Sequence, residues 1–170
     1  LPSKDACEQC AVGKKGDAGG TFLAACTNCG TGKYQDQVGQ TTCTNCGTGK
    51  YQNDEGQNTC KLCPLGYYQN DEGQNNCIAC QAGKYQAITS IVGGFTPTPP
   101  FGLCKDCPVG TYQDDTGAYG YPSHVTHGIY VGAKPPCKIC PAGKHQGQVA
   151  QSSCETCPSG WSQLPSKDAC

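Results

Sequence analysis

The sequence predicts a small disulfide-rich all-β fold, a linear rod of about eight stacked hairpin modules of about 17 residues, with little helix and a minimal hydrophobic core. Three observations lead there. Cysteine supplies 17 of the 170 residues, the density of a disulfide scaffold. Ile, Leu, Val and Phe together supply only 21 of those 170, well under the roughly 20% below which chains normally fail to fold on a core. The cysteines recur in pairs at a nearly fixed spacing, with the same residues after each pair, the signature of a repeat architecture.

Composition narrows the function classes. The formal net charge is −1, too small for disorder driven by charge repulsion. So many cysteines stay oxidised only in an extracellular or secretory setting, so the expected location is extracellular, at the cell surface. No signal peptide stands out, so a secreted chain is expected to show here a mature or internal segment. No apolar run approaches the roughly 18 residues of a membrane span. The absence of Arg and of clustered Lys argues against a nucleic-acid partner.

Each element of the repeat has a place. The C-x2-C pairs are Cys7/Cys10, Cys26/Cys29, Cys43/Cys46, Cys60/Cys63, Cys77/Cys80, Cys104/Cys107, Cys137/Cys140 and Cys154/Cys157, with Cys170 alone. They divide the chain into an atypical module 1–25, regular modules 26–42, 43–59 and 60–76, a module 77–103 with an apolar and Pro-rich insertion, a module 104–136 with a long aromatic insertion, a regular module 137–153, and a last module 154–170. Glycine stands three residues after every second cysteine, at 13, 32, 49, 66, 83, 110, 143 and 160. Such a position predicts positive φ or no room for a Cβ. Tyrosine follows at Tyr34, Tyr51, Tyr68, Tyr85 and Tyr112, with His145 in the same place later. Its ring is expected to pack over a disulfide or a neighbouring glycine. Glutamine follows in seven modules, and the NDEG, QDDTG and DQVG stretches read as the tight turns of small hairpins.

Two disulfide tilings are open. Each C-x2-C closes on itself, or the second cysteine of one pair bonds the first of the next. The second tiling gives Cys10–Cys26, Cys29–Cys43, Cys46–Cys60, Cys63–Cys77, Cys80–Cys104, Cys107–Cys137, Cys140–Cys154 and Cys157–Cys170. It is favoured because closing loops of this size stabilises by about 3 kcal/mol each in the chain-entropy model, whereas a C-x2-C bridge is typical of redox-active sites. Cys7 is then left to bond the preceding unit's Cys157. The reason is a second repeat: LPSKDAC stands at Leu1–Cys7 and again at Leu164–Cys170, a period of 163 residues. The parent chain is expected to continue with EQCAVGKKG after Cys170.

CPLGYYQNDEGQNNC (63–77), CPVGTYQ (107–113) and CPAGKHQ (140–146) carry a family resemblance. This C-P-x-G-x-Y pattern, with a cysteine about ten residues on, resembles the modules of the tumour necrosis factor receptor and ephrin-receptor-like groups. CGTG replaces it at 29–32 and 46–49, and CAVGKKG lacks the aromatic. The resemblance implies short β-hairpin modules stacked into rods outside cells. It also implies a bridge from the cysteine of C-P-x-G-x-Y to the next cysteine.

The two insertions, 87–103 and 114–136, hold much of the bulky apolar content, and IVGGF and HGIYV within them read as short strands. Either they pack on each other, or Ile91, Phe95, Phe101, Tyr119, Tyr121, Ile129 and Tyr130 make assembly contacts with another copy. Thr96 and Thr98 in TPTPP are candidate O-glycan sites. No metal site is assigned and no cofactor is expected, with Ca²⁺ at the NDEG turns, Zn²⁺ at C-x2-C knuckles and a metal pair at His124 and His127 as minor alternatives. No nucleophile–base set stands out, so no catalytic residue and no enzyme activity is expected.

Three functions compete. The first is a structural component of an extracellular filament, stalk or surface appendage, made of tandem copies of this unit. The second is a cell-surface receptor or adhesion ectodomain binding a protein ligand. The third is a zinc-binding repeat protein. Return to the same heptapeptide favours the first, with other copies of the unit as partners.

Overall fold

The computed structural model describes residues 9–16, 26–87, 103–120 and 136–170. Cys7, Ile91, Phe95, Thr96, Thr98, Phe101, Tyr121, His124, His127, Ile129 and Tyr130 lie outside them, as do the predicted strands IVGGF and HGIYV. The described residues are all β and contain no helix. They fall into two compact units. One comprises Leu1–Cys63 with Gln69–Cys77, the other Pro64–Tyr68 with Ile78–Cys170.

Short strands follow directly from the cysteine spacing. The two residues between paired cysteines are a strand in nearly every module. They form β2 (Thr27–Asn28), β4 (Thr44–Asn45) and β6 (Lys61–Leu62) in the first unit. Each pairs antiparallel with the strand that precedes it: β1 (Lys14–Lys15), β3 (Lys33–Tyr34) and β5 (Lys50–Tyr51). In the second unit the same hairpins are β7 (Tyr67–Tyr68) with β8 (Ile78–Ala79), β9 (Lys84–Ala87) with β10 (Cys104–Asp106), β11 (Thr111–Tyr112) with β13 (Lys138–Ile139), and β14 (Lys144–His145) with β15 (Glu155–Thr156). One sheet gains a third strand, β12 (Tyr119–Gly120), parallel to β9.

An extended C-x2-C segment settles the bridges physically. Residues three apart in a strand are about 10 Å apart, whereas disulfide Cα atoms sit about 4.4–6.8 Å apart. A pair therefore cannot close on itself. The structure holds eight disulfides in tandem: Cys10–Cys26, Cys29–Cys43, Cys46–Cys60, Cys63–Cys77, Cys80–Cys104, Cys107–Cys137, Cys140–Cys154 and Cys157–Cys170. The DQVG and NDEG stretches are not two-residue hairpin turns. They lie in longer connections, such as 35–43 between β3 and β4, which the bridge Cys29–Cys43 closes.

The glycine after each second cysteine has positive φ, from 73 to 84° in all eight modules. It is the third residue of a turn whose first carbonyl accepts from the fourth amide, as Gly30 O does from Lys33 N at 3.2 Å. That is the type II geometry, which requires such a φ at this point.

The core is not aliphatic. Its buried members are mostly cysteines, with Cys29, Cys46, Cys80, Cys107, Cys137 and Cys140 wholly inaccessible, and six of the seven repeated glutamines. The one cluster of buried apolar residues among the described residues is Tyr85, Cys107, Ala118 and Cys137, with Ala87 packed against it. Burial there pushes the Tyr85 phenol up from its ordinary value. The other repeat tyrosines are half-buried on their strands. Beside Gly13, Gly32, Gly66, Gly83 and Gly110 the nearest atom is a backbone carbonyl oxygen, not a tyrosine ring.

Candidate functional site

Stacking between modules is built mainly from the backbone. Take a module as the stretch from one second cysteine to its disulfide partner. In the first unit, the turn amides of Gly39, Gly56 and Gly73 donate to the carbonyls of Cys10, Cys29 and Cys46 in the preceding module, at 2.7–2.8 Å. In return, Gly13, Gly32 and Gly49 donate at 2.7 Å to the carbonyls of Gln35, Gln52 and Gln69 in the next module. A third bond runs from Gly16, Gln35 and Gln52 to the carbonyls of Gln40, Gln57 and Gln74, at 2.8–3.2 Å. The second unit repeats the set. Gly117 and Ala150 donate to Cys80 and Cys107, Gly83 and Gly110 to Gln113 and Gln146, and Gln86 and Gln113 to Ala118 and Gln151. Ala150 holds the turn glycine's conformation at φ 59°.

Contacts also skip a module. A Cβ on Gly13, Gly32, Gly66, Gly83 or Gly110 would fall 1.9–2.5 Å from a carbonyl oxygen two modules on, that of Gly56, Gly73, Gly117, Ala150 or Ser166 respectively. Only glycine allows backbones so close.

The repeated glutamine is the residue whose role the sequence did not disclose. Gln52 is 1% exposed and Gln113 fully buried. Its amide group bonds both sides of its own connection. Gln52 Nε2 donates to Thr59 O at 2.8 Å, and Gln52 Oε1 accepts from Asp54 N at 3.1 Å. Gln35, Gln69, Gln113 and Gln146 repeat both bonds, to Thr42 and Gln37, Asn76 and Asp71, Pro136 and Asp115, and Ser153 and Gln148. A buried amide is tolerable because donor and acceptor are both used. The legible signal was a polar residue fixed at one repeat position among others that vary.

Two glutamines break the rule and reach to the preceding module. Gln86 sits in the three-stranded sheet. Its Oε1 accepts from Gly66 N at 2.8 Å, and its Nε2 donates to Tyr67 O at 2.9 Å. Gln163 Nε2 donates to Pro141 O at 3.1 Å and to Lys144 O. Its own connection is shorter, since Cys157 and Cys170 are 13 residues apart where the regular bridges span 14.

The last module differs in its bridge. Each of the other seven disulfides has a buried cysteine, but Cys157 and Cys170 are both only half-buried. His145, in the tyrosine position, lies beside this bridge with Nδ1 3.1 Å from Cys170 Sγ. Glu155, its cross-strand partner, faces Nε2 at 3.9 Å. Among the described residues, His145, Cys157 and Cys170 bring their donor atoms within 4.8 Å of one another. Two of those three atoms are sulfurs bonded to each other.

Of the predicted assembly residues, Tyr119 alone lies among the described residues. It is half-buried, paired with Gln86 in the three-stranded sheet. Surface ion pairs flank the hairpins: Lys61 with Asp54 at 2.7 Å, Lys84 with Asp106 at 2.5 Å, and Lys138 with Asp114. The hydrogen bond from Lys138 holds the Asp114 carboxyl below its usual range and raises the Lys138 ammonium in turn. None of the described residues forms a helix able to cross a membrane.

This tandem of bridged hairpins has a counterpart in a known family. The model of the tyrosine-protein kinase ephrin type A/B receptor-like family matches residues 16–56, 49–90 and 128–166. The chain belongs to this family. No curated protein matches the sequence. The matched residues include the modules where CGTG stands for C-P-x-G, at 29–32 and 46–49.

Proposed function

We propose that the chain is a non-enzymatic structural unit of an extracellular filament, stalk or surface appendage, built from tandem copies of a disulfide-stapled unit. The observation that carries this reading is the identity of Leu1–Cys7 with Leu164–Cys170 at a period of 163 residues. Module stacking supports it, because bonds that use mostly backbone atoms repeat from one module to the next without a dedicated partner surface. The insertions carrying Ile91, Phe95, Phe101, Tyr121, Ile129 and Tyr130 make the lateral contacts in this reading, and Thr96 and Thr98 carry O-linked sugar. Imaging of the native assembly tests it. Filaments with an axial repeat of one unit are expected, and isolated single-unit monomers would refute it.

Family membership favours a second reading, a receptor or adhesion ectodomain that binds a protein ligand at the surface of a cell. That reading predicts a monodisperse ectodomain with no unit repeat in its native image. A zinc-repeat reading is disfavoured, since sixteen cysteines are committed to bridges and a bridged sulfur is not the thiolate that binds zinc. Elemental analysis is expected to find no stoichiometric zinc, and about four ions per unit would restore it.

A further inference from the structure

We propose that the Cys157–Cys170 bridge conceals a zinc site. Once a small thiol reduces the bridge, the two cysteine sulfurs and His145 Nδ1 bind one Zn²⁺ in its place. Such a site is independent of whether the chain builds a filament or an ectodomain.

The donor set comes from one substitution within the repeat. Tyr34, Tyr51, Tyr68, Tyr85 and Tyr112 hold the position that His145 takes in its own module. A phenol titrates near pH 10 and is a poor zinc ligand at neutral pH, whereas a neutral imidazole is the commonest metal ligand. His145 lies on β14 with Nδ1 3.1 Å from Cys170 Sγ. That nitrogen and both sulfurs lie within 4.8 Å of one another, and no other such group of three occurs among the described residues. Tetrahedral zinc, with Zn–S about 2.3 Å and Zn–N about 2.0 Å, needs these atoms about 3.5–3.8 Å apart. Two thiolates with an imidazole suit zinc, and the fourth position stays open to water. Glu155, paired across the strands with His145, faces Nε2 at 3.9 Å. A carboxylate at the far nitrogen is the usual positioning group for a metal-bound imidazole.

Electrons and protons balance with a small thiol such as glutathione as the reductant. Its thiolate attacks one bridge sulfur, giving a mixed disulfide and a free cysteine thiolate. A second thiol displaces the other cysteine, and the reductant leaves as its own disulfide. Two thiols are thus oxidised to one disulfide while Cys157–Cys170 is reduced to two thiols. Zn²⁺ then replaces their two protons and takes the lone pair of the neutral imidazole. The ligands stay in place because bonds other than the bridge hold them. Cys157 N donates to Gly143 O at 2.9 Å, directly after the β14–β15 pair. The stretch leading to Cys170 is tied by Leu164 N to Ala169 O and by Gln146 N to Lys167 O, both at 3.0 Å. Lys167 Nζ adds a bond to Cys140 O at 3.1 Å. The zinc does what the bridge did, holding Cys157 to Cys170.

A redox titration of the full chain tests this. Glutathione and its disulfide set the reducing conditions, and free Zn²⁺ is either absent or buffered at a micromolar level. Differential alkylation with peptide mapping then reads each bridge. Binding to one state alone pulls an equilibrium by mass action. Zinc is therefore expected to shift the midpoint of Cys157–Cys170 about tenfold or more toward milder reduction. The other seven bridges should stay where they were. Elemental analysis of the reduced form should find one zinc per chain, and Co²⁺ in its place should give the intense visible absorption of a tetrahedral thiolate site. His145→Tyr, which restores the residue used by other modules, is expected still to form the bridge and to lose the shift. Glu155→Gln should reduce the shift several-fold with the zinc-free midpoint unchanged. An unmoved midpoint at Cys157–Cys170, a shift spread over several bridges, all eight bridges reducing together, a six-coordinate cobalt spectrum, or a full shift kept by His145→Tyr would each overturn the proposal.

Discussion

Replacing Gly32 with alanine separates stacking from local backbone preference, because Gly143 provides a matched control. Both glycines occupy the same turn position, with φ of 76° and 77°. Moving an L-residue into this region costs about 1–2 kcal/mol, and both variants incur that cost. At Gly143 a Cβ meets nothing within 4 Å. At Gly32 it would lie 1.9 Å from Gly73 O and 2.5 Å from Gly73 C. Backbone on both sides must part to relieve this. The bonds at risk are Gly32 N to Gln52 O and Gly73 N to Cys46 O, at 2.7 and 2.8 Å, each contributing about 1 kcal/mol. Gly32→Ala is therefore expected to cost about 3–4 kcal/mol locally, against about 1–2 for Gly143→Ala. Native-state hydrogen exchange resolves this, since repeat modules open locally. Protection of the Gly32, Gln52 and Gly73 amides should fall by roughly two orders of magnitude in Gly32→Ala. Near-equal losses in the two variants would refute the backbone contact between alternate modules.

Gln52→Glu keeps the shape but replaces the donor to Thr59 O with a carboxylate that is 1% exposed, at a cost of about 2–3 kcal/mol at neutral pH. Burial raises the acid's folded pKa, so the variant should match the parent below about pH 4 and lose stability as pH rises from there to the folded value. Hydrogen exchange against the parent at each pH reads it. Changing Cys107 and Cys137 together to serine is expected to cost about 3–4 kcal/mol, from a bridge of sequence separation 30, and to loosen Tyr85 as well. Tyrosine fluorescence and denaturant titration under non-reducing conditions check it. For Asp114 and Lys138, whose side chains are 50% and 31% exposed, the pair is worth under about 1 kcal/mol. Asp114's share is present above the ordinary carboxyl range and lost as pH falls through its lowered value. Lys138's is present below the ordinary lysine value and lost as pH rises through its raised one. Asp114→Asn should flatten both limbs of a stability–pH profile.

What could be read from the sequence was the part that repeats. Seventeen cysteines at regular spacing gave a disulfide-rich all-β chain, and a glycine three residues after each second cysteine gave a positive φ. The glutamine's role was hidden because propensity rules treat it as a surface residue, whereas Gln113 is fully buried. The tyrosine was expected over a disulfide or a neighbouring glycine, as the largest ring in each module, and Tyr85 does cluster with the bridged Cys107 and Cys137, but the space beside Gly32 is taken otherwise. At Gly32 that space belongs to the Gly73 carbonyl, which no side-chain pattern encodes. Ala150 and Lys167 adopt the turn's positive φ without being glycine, so a rule based on residue type passes over them. The setting of His145 depends on a cross-strand neighbour and on a bridge 25 positions away.

A hairpin with two-residue strands has almost no stability of its own, so each module depends on its neighbours. Here that dependence runs mainly through main-chain amides and carbonyls, with glycines permitting close approach and a buried glutamine holding each connection in shape. Such an interface reads little of the side-chain sequence. One module of this unit can stack on another so long as the glycines and bridges are in register. A ligand-binding surface needs side chains that single out a partner. Stacking that reads mostly backbone instead suits repetition from one module to the next.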